Sequence, residues 1–387
     1  MTPTPDTAQD KPSPTRIAYA NFEPGDPAPW FHQRNTSNPR YAFSSVGGRY
    51  VLMCFFGSAA DPVAQGALAA VQAHRHLFDD DRACFFGVSL DAQDEATGRV
   101  RESMPGLRHF WDFDGAVSRL YGALPLDAAT SKPLLRRFWL LLDPTLRVLQ
   151  VFPLLADGSN LDVLFGAIAA LPPPERHTGI EVMAPVLYLP RVFEPEFCRH
   201  LIGLYDRNGG MESGVMREID GVTKGVNDHS FKRRSDYTLE DEGLKQQIQA
   251  RVIRRINPEV LKVHNFAATR MERYIVGCYT AEDGGHFRPH RDNVTKGTAH
   301  RRFAVSINLN DDFDGGELYF PEYGPRSFKP PVGGAVVFGC ALLHAVTQVT
   351  RGRRYAFLPF LYDDAAAKIR EANNPFLDKS LGEYIAG

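Results

Sequence analysis

The chain has 387 residues, a formal net charge of -2 at pH 7, 43% hydrophobic residues and 23% charged residues. This length accommodates two domains, and the composition is that of an ordinary soluble globular protein. The nearly balanced charge gives no reason to expect nucleic acid or an anionic membrane surface as a partner. No segment approaches the roughly twenty apolar residues that a membrane helix needs.

The cysteines and the first residues bear on the compartment. The five cysteines form no CxxC pair and their number is odd, which argues against a disulfide framework and favours a reducing environment. The chain begins with a polar stretch rich in Pro and Thr that lacks the basic and apolar regions of a secretory signal. We therefore predict a disordered tail over residues 1–20 and a cytoplasmic protein.

The first half of the chain alternates strand and helix patterns. Residues 50–56 form a continuous apolar run of strand length. Asp61 and Pro62 then provide an N-cap and a first-turn proline for a helix that we expect to reach about Phe78. Residues 83–90 form a second apolar run. The pattern predicts a β-α-β unit with a parallel sheet.

The domain boundary follows a hairpin and a helix. Residues 138–142 and 148–152 flank an Asp-Pro-Thr turn and predict a β-hairpin. A helix is expected over residues 161–171, and three consecutive prolines after it cannot continue a helix. We therefore predict a first domain over residues 21–171, a Pro-rich linker over 172–181 and a second domain over 182–387.

The second half begins with helices and continues with short strands. Helices are predicted over residues 195–205 and 241–256. Residues 303–309 alternate as in a strand, with apolar residues on one face and Ser306 and Asn308 on the other. Further strands are expected at 317–320, 335–339 and 355–362. Helices followed by many short strands with Gly and Pro turns suggest an α+β domain built on a double-sheet jelly roll.

One constellation in this half carries chemistry. His290 and Asp292 are separated by one residue, so they share a face of an extended strand. His344 lies fifty-four residues after His290, in a predicted turn, and the basic pair Arg353-Arg354 follows it. Two imidazoles and one carboxylate on one side of a metal form the facial triad of non-haem Fe(II) oxygenases. An arginine suits the far carboxylate of a dicarboxylate cosubstrate, because its planar fork binds carboxylates.

Residues 274–363 resemble the catalytic domain of prolyl 4-hydroxylase-like 2-oxoglutarate/Fe(II) dioxygenases. The matching segments are HRD at 290–292, DGGEL at 314–318, PPVGGAVVF at 330–338 and HAVTQVTRGRRYAF at 344–357. The resemblance implies that His290, Asp292 and His344 are the catalytic metal ligands. It places Arg354 at the distal carboxylate of 2-oxoglutarate, with Arg353 as the alternative if the strand register differs by one. Tyr279 is expected to support the same carboxylate, with Tyr274 as its rival.

The resemblance also implies an activity. The expected reaction is hydroxylation of an unactivated C–H bond, coupled to decarboxylation of 2-oxoglutarate to succinate. The expected cofactors are Fe(II) and O2, and ascorbate is a candidate reductant. The substrate is open between a protein residue, such as a prolyl residue, and a small metabolite. No nucleic acid or membrane partner is expected, and the oligomeric state is not indicated by the sequence.

Residues 22–171 resemble a thioredoxin-fold domain of the peroxiredoxin type. The segments that carry this are PGDPAPWF at 24–31, RYVLMCFF at 49–56 and RRFWLLLDPTLRVLQVF at 136–152. Peroxiredoxins need a thiolate in the first turn of the helix after the second of these segments. Here that turn, residues 57–63, contains no cysteine, while Cys54 and Cys84 lie within predicted strands. The alternative function, a non-catalytic or thiol-redox binding protein built on this domain, is therefore disfavoured.

Overall fold

The computed structural model describes residues 17–127 and 134–385. The chain divides into two compact units, Met1–Pro172 and Pro173–Gly387. The disordered tail that the sequence predicts lies, up to residue 16, outside the described residues. The carbonyl oxygen of Ala18 accepts a hydrogen bond from Leu126 N, so the N-terminal unit already includes this part of the predicted tail.

The N-terminal unit is an α/β unit around one mixed sheet. Two short strands, His32–Gln33 and Tyr41–Ala42, and two single-turn helices, Ala92–Ala96 and Ala116–Leu120, accompany its principal elements. These principal elements are β1 (Tyr50–Gly57), α1 (Pro62–Ala73), β2 (Ala83–Ser89), β3 (Leu107–Trp111), β4 (Phe138–Leu142), β5 (Val148–Pro153) and α2 (Leu161–Ala170).

The sheet of this unit has the strand order β3-β2-β1-β4-β5. Strands β1, β2 and β3 run parallel, whereas β4 and β5 are antiparallel. The β-α-β unit and the hairpin that the sequence predicts are both present. Every residue of β1 and β2 is buried, because the sheet has an apolar core on each face.

Helix α1 begins as the sequence predicts and ends earlier. The Asp61 carboxylate accepts a hydrogen bond from Val63 N at 2.9 Å, and Pro62 occupies the first turn. The helix stops at Ala73, and His74 instead stacks its ring on Phe165 at a centroid distance of 4.0 Å. The predicted end near Phe78 is therefore wrong, since only a short 3₁₀ turn continues the chain there.

The C-terminal unit combines helices with two larger sheets and two sheets of two strands each. Its elements in chain order are β6 (Leu187–Leu189), α3 (Pro195–Asn208), β7 (Met211–Glu212), β8 (Val215–Ile219), β9 (Val222–Val226), β10 (Lys232–Arg233), β11 (Ser235–Thr238), α4 (Glu242–Arg255), α5 (Asn257–His264), β12 (Arg270–Glu272), β13 (Ile275–Thr280), β14 (His286–His290), β15 (Phe303–Asn308), β16 (Asp314–Gly315), β17 (Leu318–Tyr319), β18 (Ser327–Phe328), β19 (Ala335–Gly339), β20 (His344–Val346), β21 (Val349–Arg351), β22 (Arg353–Phe357), β23 (Phe360–Tyr362) and α6 (Asp364–Ala372).

The larger sheet has the order β12-β23-β15-β22-β13-β11-β7, and β19 joins it by pairing with both β15 and β6. The smaller sheet has the order β10-β14-β20-β17-β18. One apolar cluster joins the helices to the larger sheet, and a second contains residues from both sheets. This is the jelly-roll arrangement that the sequence predicts, with the helices on the outer face of the larger sheet.

Strand β15 shows how the sequence positions the interior of this unit. Val305 and Ile307 belong to the core under the helices, whereas Ala304 belongs to the core that includes both sheets. All six residues of the strand are buried. Ser306 and Asn308 therefore carry polar atoms into the interior between the sheets, which is where the candidate site lies. Among the described residues, no helix is long and apolar enough to span a bilayer.

Candidate metal centre and cosubstrate pocket

Two neighbouring strands of the smaller sheet bring the three predicted ligands together. His290 is the last residue of β14 and His344 is the first residue of β20, and the two are paired directly across the antiparallel ladder. Asp292 follows the end of β14 by two residues. The sequence predicted His344 in a turn and Asp292 within a strand; the structure shows the reverse. The cross-strand pair sets the separation of the imidazoles.

The distances between the three side chains fit one ion. The Nε2 atom of His290 lies 3.5 Å from Oδ1 of Asp292, and Nε2 of His344 lies 3.2 Å from Oδ2. All three ligand atoms lie within 4.8 Å of one another. Two ligands at right angles with metal bonds of about 2.1 Å are roughly 3 Å apart, so the arrangement is close to that of a loaded site.

Backbone carbonyl groups fix which ring nitrogens face the centre. Nδ1 of His290 lies 2.8 Å from the Arg288 carbonyl oxygen, and Nδ1 of His344 lies 3.0 Å from that of Leu342. A carbonyl oxygen only accepts, so each Nδ1 carries the proton and each Nε2 presents a lone pair. This is the tautomer that a metal requires.

The protonation states also suit a cation. Burial and the neighbouring His344 lower the pKa of His290 to about 4. Burial alone would raise the pKa of Asp292, but the two imidazoles outweigh it and hold that pKa well below its ordinary value. Near neutral pH the site therefore offers a neutral His290 imidazole and an ionised carboxylate.

The residue between two of the ligands turns to the opposite side. Arg291 is 7% exposed, and its guanidinium donates to both carboxylate oxygens of Glu322, at 3.2 and 2.8 Å. It also donates to the carbonyl oxygen of Ala341, three residues before His344. This buried ion pair connects the His-x-Asp segment to the chain that leads into β20, and so it supports the relative position of the ligands.

A β-bulge in β14 adds an aromatic ring to the site. Phe287 is paired with Val346 and His290 with His344, so β14 has one residue more than β20 over this interval. In a regular strand, residues three apart face opposite sides. Here the rings of Phe287 and His290 stack at a centroid distance of 3.5 Å and line the same cavity. Sequence reasoning missed Phe287, although Pro289 within the strand is a signal for a bulge.

Arg354 lies in the same cavity, and its guanidinium is 2% exposed. Its Nε donates to Asn308 Oδ1 at 3.1 Å, and one Nη donates to Ser306 Oγ at 2.8 Å. Its Nη1 has no hydrogen-bond partner among the described residues. Its rival Arg353 points outward, with 52% of its side chain exposed. Of the two arginines, only Arg354 is placed to bind a ligand in the cavity.

The choice between the two tyrosines is equally clear. Tyr279 is 1% exposed and lines the cavity, and the guanidinium carbon of Arg354 lies 5.5 Å from its ring centroid. Tyr274 instead packs against the core beneath the helices, where its hydroxyl accepts a hydrogen bond from Gln249. Tyr274 does not line the cavity.

Two further arginines of the cavity were not expected from the sequence. Arg234 and Arg273 both line it, and both contact the carboxylate of Asp236. The hydroxyl of Tyr279 accepts a hydrogen bond from Arg234 at 3.3 Å. A run of basic residues such as Lys232-Arg233-Arg234 is typical of a solvated surface. The alternation of the chain buries Lys232 and Arg234 and leaves Arg233 exposed.

The N-terminal unit has no cysteine in the turn where a peroxiredoxin needs its reactive thiol. The turn before α1 contains Ser58 and Asp61 but no cysteine. Cys54 and Cys84 are both fully buried within strands. Burial raises the pKa of Cys54 well above its ordinary value and that of Cys84 to about 12, so both thiols remain protonated and poorly nucleophilic.

Comparison with known proteins identifies the family. Residues 274–362 match the model of the 2OG-Fe(II) oxygenase superfamily. A PKHD-type hydroxylase from Pseudomonas fluorescens is 33% identical over 175 residues, which are 41% of this chain and 74% of the relative. The chain belongs to the 2OG-Fe(II) oxygenase superfamily. The PKHD-type hydroxylase PiuC from Pseudomonas aeruginosa is 37% identical over 91 residues, 21% of this oxygenase and 39% of the relative.

The N-terminal unit of the oxygenase matches a second family. Residues 24–150 match the model of the AhpC/TSA family. Among solved structures, peroxidoxin BcpB from Mycobacterium tuberculosis is 18% identical, with a TM-score of 0.33, over 39% of this chain and 99% of that one. A prolyl hydroxylase from Trichoplax adhaerens, in complex with a hypoxia inducible factor peptide, is 18% identical with a TM-score of 0.38, over 51% and 92%.

The residues of the oxygenase fit the cofactors that its family implies. Two imidazoles and a carboxylate on adjacent strand ends are the ligand set of non-haem Fe(II). The free Nη1 of Arg354 is a buried, charged donor without an acceptor, which is costly unless a ligand provides one. A carboxylate of 2-oxoglutarate provides an acceptor of the right charge.

Proposed function

We propose that this oxygenase hydroxylates an unactivated C–H bond of its substrate, with conversion of 2-oxoglutarate and O2 to succinate and CO2. One oxygen atom of O2 enters succinate and the other enters the hydroxyl group, so the reaction balances without a further reductant. The observation that supports this proposal is that the His290–Asp292–His344 cluster shares one cavity with the Arg354 guanidinium, whose Nη1 has no partner among the described residues.

In this proposal the three side chains hold Fe(II) on one side. Nε2 of each histidine and one oxygen of Asp292 are the ligands, and the carbonyl groups at Nδ1 keep each ring in its orientation. The bound iron supplies the oxygen chemistry for which amino-acid side chains have no equivalent.

Arg354 anchors the cosubstrate. Its Nε and one Nη are fixed by Asn308 and Ser306, so the remaining Nη1 is presented in a defined direction. A carboxylate bound there forms a charge-assisted hydrogen bond in a buried site, where such bonds are strong. Tyr279 lies against the same guanidinium and contributes its ring face and hydroxyl.

The cavity also excludes water from the reacting atoms. Phe287, Phe338 and Leu318 line it beside the metal ligands, and Phe338 packs on the His344 ring at 4.6 Å. Apolar walls strengthen the electrostatic contacts of the bound cosubstrate and limit side reactions.

We assign this activity to residues 182–387, with residues 172–181 as a linker and residues 21–171 as a thiol-inactive accessory domain of a cytoplasmic enzyme. The buried, protonated cysteines support the view that the N-terminal domain performs no thiol chemistry. A protein residue, such as a prolyl residue, and a small metabolite are the substrate classes to be tested.

The test is succinate release from 2-oxoglutarate by the full chain, with and without added Fe(II) and O2. We expect release to require both, and His290→Ala to abolish it because one ligand is lost. His200→Ala is the matched control, since His200 lies on the exposed face of α3. Succinate formation that survives in the His290 variant would remove the cluster from the mechanism.

A further inference from the structure

Three arginine side chains line the cavity that contains the metal ligands: Arg234, Arg273 and Arg354. An arginine is always charged and its burial is costly without an anionic partner. The proposed function uses only Arg354. The proposed function therefore does not explain why Arg234 and Arg273 line the cavity.

A single carboxylate serves both remaining arginines. Asp236 accepts from Arg234 at 2.6 and 2.7 Å, in the bidentate geometry that satisfies this pair. Arg273 reaches the same carboxylate through one longer contact of 3.1 Å. Among the described residues, this is the hydrogen bond that the Arg273 side chain makes, and its other donors are left available.

The charges of the loaded site do not cancel. The two positive charges of Fe(II) are matched by the two negative charges of 2-oxoglutarate. Three guanidinium groups face two carboxylates, Asp236 and Asp292. One positive charge is left over, and a buried charge needs compensation.

Neighbouring residues do not supply the missing negative charge. Glu272 is adjacent in sequence to Arg273, but its carboxylate is bound by Arg301 at 2.7 Å and by Arg370 at 2.9 Å. Lys232 is also near, but its amino group donates to Ser213 Oγ and to the Gly214 carbonyl oxygen, and a lysine carries no negative charge in either protonation state. The excess positive charge is therefore located at Arg273.

Arg273 is held in a position where a ligand can reach it. About 30% of its side chain is exposed, compared with 5% for Arg234. Its backbone has φ of 65°, in the left-handed region that residues other than glycine rarely adopt. Such strain is concentrated at ligand-binding positions, where the surrounding structure maintains it. Its guanidinium also lies 5.7 Å from the Phe360 ring centroid, which limits its orientation.

We propose that the substrate of this oxygenase carries a carboxylate group that Arg273 binds, while the bond to be hydroxylated is directed towards the metal ligands. This inference rests on the proposed function and specifies its substrate class. The carboxylate has two sources, a small organic acid or an acidic group of a peptide, and the experiment separates them.

The experiment measures binding without turnover. The full chain is loaded with Fe(II) and 2-oxoglutarate in the absence of oxygen and titrated calorimetrically with matched pairs. One arm uses the N-acetyl amino acids and their carboxamides. The other uses capped Ala-Glu-Ala and Ala-Gln-Ala peptides. We expect an acid in one arm to bind at least about tenfold more tightly than its amide, the smaller end of the range for a hydrogen bond to a charged group.

Variants identify the residue that causes the preference for acids over amides. Arg273→Gln should abolish the preference for the acid, and Arg273→Lys should retain part of it because the charge remains. Both should leave the dissociation constant of 2-oxoglutarate within about threefold of the original, since Arg354 is intact. Arg353→Gln is the matched control, because that side chain points outward. Melting temperatures of the ligand-free variants verify folding, and the lysine variant provides a second test if the glutamine variant is unstable.

Three outcomes would overturn the inference. In the first, acids bind no better than amides in either arm at concentrations up to about 10 mM, which is well above the dissociation constant of a weak complex. The Arg273 variants could keep the preference for acids. In the third, Arg273→Gln weakens the binding of 2-oxoglutarate as strongly as the binding of the acid, which would place Arg273 at the cosubstrate. Succinate release that depends on His290 would persist in each case, so this failure is distinct from failure of the proposed function.

Discussion

Substitution of Arg354 by glutamine should weaken cosubstrate binding strongly and change stability little. In the ligand-free protein this guanidinium is 2% exposed, has no carboxylate partner among the described residues and leaves Nη1 without an acceptor. Burial accordingly lowers the pKa of Arg354 below its ordinary value. In the ligand-free protein the cost of burying this charge therefore offsets most of the benefit of its hydrogen bonds to Asn308 and Ser306, and a bound carboxylate supplies the missing partner.

The expected magnitudes follow from that arrangement. Removal of one partner of a buried, hydrogen-bonded charge pair costs about 2–5 kcal/mol of binding free energy, which corresponds to a loss of about 30-fold to several thousandfold in affinity. Truncation of an arginine in a buried ion pair normally costs about 3–5 kcal/mol of stability. For Arg354→Gln we expect a loss of no more than about 1 kcal/mol, because the contacts to Asn308 and Ser306 are offset by relief of an uncompensated buried charge.

Two measurements test both halves of the prediction. Calorimetric titration of the Fe(II)-loaded, oxygen-free protein gives the dissociation constant of 2-oxoglutarate, and urea unfolding of the ligand-free protein gives its stability. Arg353→Gln is the control. It should change the dissociation constant of 2-oxoglutarate by no more than about threefold, and the free energy of unfolding by no more than the equivalent free energy. An Arg354 variant that binds 2-oxoglutarate as well as the parent, or an Arg353 variant that loses it, would refute the placement of the cosubstrate.

Two further predictions concern stability. Glu322→Gln should lower the free energy of unfolding in urea by about 3–5 kcal/mol, because the buried Arg291 charge loses the negative charge of the Glu322 carboxylate; an equally stable variant would show that this pair does not support the ligand strands. Arg255 and Arg251 lower the pKa of Glu194 to about 2. A depressed carboxyl pKa contributes stability above the unfolded pKa of about 4.5, and this is lost as pH falls through the folded value. Glu194→Gln should therefore reduce stability near pH 6 and converge with the parent near pH 2 in thermal unfolding; a constant difference across that range would contradict this.

The parts of the molecule that were predictable are those set by local pattern. The alternation of residues 303–309 correctly separated Val305 and Ile307 from Ser306 and Asn308, because a strand with two buried faces keeps its period of two. The cap formed by Asp61 was predictable for the same reason, since it involves only neighbouring residues. The three metal-ligand candidates were found through their spacing and residue types.

The parts that were missed depend on long-range pairing. Arg234 and Arg273 reach one cavity because β11, which follows Arg234, pairs with β13, which begins two residues after Arg273. Nothing in the local pattern of Lys232, Arg233 and Arg234 distinguishes a surface run from a strand edge that alternates inward and outward. The single strand expected at residues 355–362 is interrupted at Pro359, which lacks the N–H that a continuous ladder requires.

The irregularity between Phe287 and His290 has a consequence for how this segment can change. Removal of one residue there would restore an uninterrupted two-residue repeat, in which Phe287 would still oppose Val346 and His290 would still oppose His344. The two rings would then be two residues apart and would remain on one face of the strand. Shortening this segment by a single position is therefore expected to spare both the ligand pair and the ring beside it, whereas lengthening it by one would either widen the bulge or move His290 out of register with His344. The length of the segment, and not only its composition, is therefore under functional constraint.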